Sequence, residues 1–176
     1  IRIFDVHGTL INPGFFAFDS KFRGGVHVAI GDLDGNGTKE IIAGAGVGGG
    51  PHVRIFNRDG RVLTPGFFAY MGKFRGGVNV DAGDFDGDGL DEIVTGAGVS
   101  GGPHVKVFDK NGVLRNEFFA FDPSERRGVQ VTASDLDQDG VDEIIALSTD
   151  VFTTALAVKT DPVIASEPSA SEAISR

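Results

Sequence analysis

DFDGDGLDE, residues Asp84–Glu92, decides the reading of this chain because it occurs three times. The other copies are DLDGNGTKE, Asp32–Glu40, and DLDQDGVDE, Asp135–Glu143, at offsets of 52 and 51 residues. Oxygen-bearing side chains stand at positions 1, 3, 5 and 9 of every copy: Asp32, Asp34, Asn36, Glu40; Asp84, Asp86, Asp88, Glu92; Asp135, Asp137, Asp139, Glu143. Position 6 is always glycine (Gly37, Gly89, Gly140), as expected where a loop turns back on itself with φ > 0.

Carboxylates packed this closely repel one another unless a positive charge lies among them. A hard divalent cation supplies it. Calcium takes six to eight oxygen ligands in flexible geometry, and the position-7 main-chain carbonyls (Thr38, Leu90, Val141) add to the side-chain donors. Magnesium fits less well, since it holds to a strict octahedron and keeps its waters. The loops contain neither Cys nor His, which disfavours zinc and copper. Asp, Asn and Gly are also ordinary turn formers, but three copies in register with the same donor positions outweigh that explanation. An EF-hand is excluded: it needs Glu at position 12 and flanking helices, whereas position 12 is Ala43, Thr95 or Ala146 inside strand-like runs.

The repeat extends beyond the loop, and four strand-like pieces are read per unit. Val26–Ile30, Val78–Ala82 and Val129–Ala133 alternate with period 2, which puts Val26, Val28 and Ile30 on one face. After the acidic loop come the continuous apolar runs Ile41–Ala45, Ile93–Ala97 and Ile144–Leu147, expected to be buried on both sides. The third strands read His52–Phe56 and His104–Phe108, with Ile1–Phe4 as the first counterpart. The fourth strands are expected to carry the aromatics Phe15, Phe16, Phe18; Phe67, Phe68, Tyr70; and Phe118, Phe119, Phe121. Gly8, Gly60 and Gly112 mark the hairpins between strands three and four.

Four strands per unit of about 50 residues predict an all-β fold of propeller blades. A β-sandwich gives many short strands too, but does not require near-identical units. The chain reads as half a blade, two whole blades and half a blade over residues 1–159. That total of three is below the usual four to eight. The expectation is therefore a fragment of a longer propeller, or copies that assemble to complete a ring. In the last unit Ser148–Lys159 replaces the expected Gly-Gly-Pro-His turn and is read as a cap, with residues 160–176 as a tail or linker.

With these residues in place, the chain resembles the FG-GAP and VCBS-type repeats of bacterial surface proteins and of the integrin α-chain propeller. The resemblance covers roughly residues 1–147. It implies calcium held between strands of a blade by the twelve loop residues named above, and extracellular adhesion or recognition, although some such propellers are attached to enzymes. Position 9 is Glu where that family usually has Asp, which keeps the charge and lengthens the reach.

Bulk properties agree. Thirteen of the 25 acidic residues lie in the three loops, so three calcium ions would bring the formal charge of −9 to about −3. Nucleic acid is not an expected partner, because phosphate contact needs a basic surface. No apolar run approaches the roughly 18 residues of a membrane span. The absence of cysteine fits a secreted bacterial protein, and a start at Ile1 without Met or a signal peptide is expected of a processed or excised piece.

Other motifs have simpler explanations. His52 and His104 recur at equivalent positions, as structural residues do and catalytic ones do not, and His7 and His27 have no nucleophile partner. Arg23-Gly24-Gly25 and Arg75-Gly76-Gly77 look like RNA-binding tracts but sit at fixed places before a strand, where turn chemistry explains them. Asn36-Gly37-Thr38 matches a glycosylation sequon inside the metal loop, where a carbonyl-oxygen ligand is the better reading. The Phe triplets are read as core between blades, with an exposed platform for sugars as the sharper alternative. The leading expectation is a non-enzymatic, calcium-stabilised propeller segment of a secreted or cell-surface protein that recognises protein or glycan. The alternatives are a propeller of a polysaccharide-degrading enzyme, and a scaffold assembling through blade edges.

Overall fold

A computed structural model describes residues 1–148. Among them there are twelve strands and no helix: β1 (Ile3–Phe4), β2 (Leu10–Asn12), β3 (Val26–Gly31), β4 (Glu40–Ala45), β5 (His52–Phe56), β6 (Val62–Phe68), β7 (Val78–Gly83), β8 (Glu92–Ala97), β9 (His104–Phe108), β10 (Leu114–Phe119), β11 (Val129–Ser134) and β12 (Glu143–Ser148). They form two antiparallel four-stranded blades, β3-β4-β5-β6 and β7-β8-β9-β10, flanked by the two-stranded pieces β1-β2 and β11-β12. The half, whole, whole, half order expected from the repeats is present, and the sheets do not close into a ring. The expectations for residues 149–176, the cap and the tail, fall outside the described residues.

Corresponding strands pair in the same register. Ile30 faces Ile41 and Val28 faces Ala43 in the first blade, as Ala82 faces Ile93 and Val80 faces Thr95 in the second. β4 and β8 are buried along their whole length. This is the burial expected of their continuous apolar sequences, since each lies between two partners in its blade and under a neighbouring blade.

The blades stack through small residues. A Cβ on Gly44 would stand 2.5 Å from the Val78 carbonyl oxygen, and one on Gly96 would meet the Val129 carbonyl oxygen more closely still. Glycine there lets the first strand of the next blade lie directly on the second strand of the preceding one. Leu147 holds this position in the last repeat, and Ser134 replaces Gly31 and Gly83. The β11-β12 face therefore presents larger side chains at the two positions where glycines let one blade sit closely on the next. At the opposite end, Val26, Val28 and Ile30 share a face as read from the sequence, but are 38%, 50% and 57% exposed, because among the described residues β1-β2 supplies no counterpart of β4 to cover them.

The fourth strands require a correction. In the two whole blades they begin soon after the hairpin glycine and reach only the first two aromatics of the triplet, so Tyr70 and Phe121 lie beyond β6 and β10. In the first unit all three, Phe15, Phe16 and Phe18, lie outside β2. Pro13 and Gly14 intervene there, and Gly14 has φ +115°. The aromatics do form the core between blades: Phe15 packs on Phe56 and Phe67 on Phe108, with ring centroids 5.0 and 4.8 Å apart. Phe16, Phe68 and Phe119 are exposed.

Candidate metal centres

Each acidic loop connects the first strand of a blade to its second. Position 6 has positive φ in all three copies, +81° at Gly37, +84° at Gly89 and +92° at Gly140, as anticipated. Position 4 does as well: Gly35, Gly87 and Gln138 have φ of +71°, +76° and +66°. The third copy thus holds a side-chain-bearing residue in a left-handed conformation.

The position-1 carboxylate organises each loop by accepting main-chain N–H groups. Asp32 accepts from Asn36 (3.1 Å) and Gly37 (2.8 Å). Asp84 accepts from Gly87 (2.7 Å), Asp88 (3.2 Å) and Gly89 (2.8 Å). Asp135 accepts from Gln138 (2.6 Å) and Gly140 (3.1 Å). Position 9 closes the loop from the other side. One carboxylate oxygen of Glu40, Glu92 and Glu143 accepts from the N–H of Leu33 (3.0 Å), Phe85 (3.1 Å) and Leu136 (2.8 Å). The longer Glu side chain gives the reach for this bond while its carboxylate still meets those of positions 1 and 3.

Three carboxylates converge in each repeat: Asp32, Asp34 and Glu40; Asp84, Asp86 and Glu92; Asp135, Asp137 and Glu143, each offering an oxygen within 4.8 Å of the others. At position 5, the side-chain oxygens of Asn36, Asp88 and Asp139 accept from the N–H of Thr38, Leu90 and Val141 at 2.8, 2.8 and 2.9 Å. The first two glutamates are buried, whereas Glu143 is not. Burial holds the carboxyls of Glu40 and Glu92 above their ordinary range, and the neighbouring aspartates push the same way. An all-oxygen, multiply anionic donor set of this kind fits a hard cation such as calcium.

A contact not anticipated from the sequence joins successive loops. Asp91, at position 8, accepts the N–H of Asp32 on Oδ2 (2.7 Å), and its own N–H donates to the Asp32 carbonyl (3.1 Å). Asp142 does the same to Asp84, at 3.0 and 2.7 Å. The signal was present as an acid at position 8 of the second and third loops, against Lys39 in the first.

The family model for the FG-GAP-like repeat matches residues 32–95 and again 84–146, each match starting at the first aspartate of a loop. The chain belongs to the FG-GAP-like repeat family. No curated protein matches it. FG-GAP repeats are typical of extracellular proteins and are usually non-catalytic. Among the described residues no helix is long and apolar enough to cross a membrane, which says nothing about membrane-crossing strands.

The remaining candidates fall into structural roles in this FG-GAP chain. His52 stacks on Phe68 (4.9 Å) and lies against Phe18 (5.6 Å); His104 repeats the arrangement with Phe119 (4.6 Å) and Tyr70 (5.7 Å). Burial lowers the pKa of both imidazoles. His104 Nε2 also lies 3.1 Å from Glu117, which pairs with Lys106 at 2.9 Å. Tyr70, His104, Lys106 and Phe119 border a groove of about 460 Å³ whose lining, among the described residues, includes no Ser, Thr or Cys. The arginines of the Arg-Gly-Gly stretches bond turns: Arg23 Nη1 donates to the carbonyls of Ser20 (2.7 Å) and Phe22 (3.0 Å), and Arg75 Nη1 to those of Gly72 (2.5 Å) and Phe74 (2.9 Å).

Proposed function

We propose that this chain is a calcium-stabilised propeller segment of a secreted or cell-surface protein that presents its surface to a protein or glycan ligand. The convergence of three carboxylates in every repeat is the observation that carries this reading. Calcium would be held by positions 1, 3, 5 and 9 and the position-7 carbonyl, and it supplies the positive charge that allows the carboxylates to approach.

The residues themselves do the ordering. Positions 1 and 9 pin the loop through main-chain N–H bonds, and position 5 fixes its return. Ligand binding to the folded loops alone stabilises the fold by mass action, about 2.7 kcal/mol per site at a hundredfold excess over Kd. The test is a calcium titration of metal-stripped protein, followed by calorimetry and thermal unfolding. Three equivalents and a rising Tm are expected; an unchanged Tm in millimolar calcium overturns the reading.

One observation favours assembly as a second reading, either with a second copy or within a longer propeller. Val78 and Val80 are buried against the preceding blade, whereas the equivalent Val26 and Val28 are exposed. Light scattering on the isolated chain tests it, with a strictly monomeric sample at high concentration counting against self-association.

A further inference from the structure

We propose that Asp91 and Asp142 are positioning residues that tie each calcium loop to the next, so that the three sites fill cooperatively. The inference rests on the calcium reading above and concerns residues outside the donor set.

In both clamps the carboxylate at position 8 of one loop and its own N–H grip the two main-chain polar groups of position 1 in the preceding loop. The gripped residue is the one whose carboxylate organises that loop. Fixing its N–H and C=O sets the direction in which the Asp32 or Asp84 side chain leaves the backbone. The gripping residue adjoins position 9 of its own loop, Glu92 or Glu143, so whatever orders one loop orders the anchor of its neighbour.

The sequence makes room for this contact. Asp32 and Asp84 are each preceded by a glycine; a Cβ on Gly31 would stand 3.0 Å from Asp91 Oδ2, and one on Gly83 2.5 Å from Asp142 Oδ2. Asp135 is preceded by Ser134, and no described residue grips its main chain in this way. Lys39, at position 8 of the first loop, instead pairs with Asp91 at 3.6 Å. The clamps therefore link loop one to two and two to three, and coupling between linked sites acts equally in both directions.

The experiment is a calcium titration of the whole chain followed by NMR at the amides of Gly37, Gly89 and Gly140, each hydrogen-bonded to its own loop's first carboxylate. The wild type is expected to show steep, overlapping transitions. Asp91→Ala should weaken loop one roughly tenfold, within the usual range of coupling, and detach its transition from that of loop two. Asp91→Asn, whose amide oxygen still accepts a hydrogen bond, should restore most of the linkage, which separates positioning from simple loss of negative charge.

If Asp91→Ala does not fold, Glu92→Gln serves instead: weakening the second site with the clamp intact should lower the affinity at Gly37. Absence of calcium binding at all three amides in the wild type overturns both the calcium reading and the coupling. Binding in the wild type with an unaltered Gly37 transition in the substituted chain overturns the coupling alone.

Discussion

Phe4, Phe56 and Phe108 hold the same position in three successive repeats and differ only in what covers them. Phe56 and Phe108 are 1% and 5% exposed, each under a phenylalanine of the preceding blade, whereas Phe4 is 51% exposed. Replacing a buried Phe by Ala loses its transfer free energy and leaves a cavity, about 3–5 kcal/mol in all. Half-burial of Phe4 recovers only about half of a full transfer of about 2 kcal/mol, so its removal should cost about 1 kcal/mol with no enclosed cavity. For a chain of this size the larger loss corresponds to a fall in Tm of about 6–20 °C. The assay is urea unfolding in saturating calcium, comparing midpoints at constant slope. If Phe108→Ala unfolds the chain outright, Phe108→Leu preserves the ranking on a smaller scale. Equal losses at Phe4 and Phe108 would refute the argument that blade stacking, and not the strand itself, stabilises this position.

Gly96→Ala forces a methyl group against the Val129 carbonyl oxygen and should cost at least about 1–3 kcal/mol, whereas Leu147→Ala at the equivalent, half-exposed site should cost well under that; chemical denaturation compares them. Tyr70→Phe removes a donor to the carbonyls of His104 (2.7 Å) and Thr95 (3.0 Å) and should cost about 1–3 kcal/mol. Adding Thr95→Ala should recover part of this, because the other repeats pair Phe18 with Ala43 and Phe121 with Ala146. The third loop, with its less buried glutamate and left-handed Gln138, should have the weakest calcium affinity of the three, seen as the highest midpoint at the Gly140 amide in the calcium titration. Burial depresses the pKa of His52 and His104 below the value of about 6.5 expected in the unfolded chain. The stability these neutral imidazoles confer is present above that pH and is lost as pH falls through the lower folded values. Thermal unfolding from pH 7.5 to 5 should show this decline, and His52→Asn should flatten it.

Much of the fold can be read from periodicity alone. The ends of β5 and β9 match the sequence reading, because a Gly-Pro turn starts each and an Asx-type hairpin ends it. That hairpin has one construction in all three repeats: Asp5, Asn57 and Asp109 each accept main-chain N–H groups two and four residues on. The fourth strands were misplaced because aromatic residues mark what is buried between blades, which here includes the segment after the strand. The donor residues of the loops were legible because a ligand set has a fixed spacing. The clamp was not, because an aspartate at position 8 looks the same whether it faces solvent or the main chain of a loop 59 residues earlier.

Repetition in the sequence determined the blades, their order and the three acidic bends, since each depends on contacts within about fifty residues. The tertiary structure alone decided which of three equivalent residues is covered: Val78 but not Val26, Phe108 but not Phe4, Glu92 but not Glu143. Local sequence sets the direction of a side chain, but burial is set by the neighbouring blade, and nothing within a repeat records whether that neighbour is there.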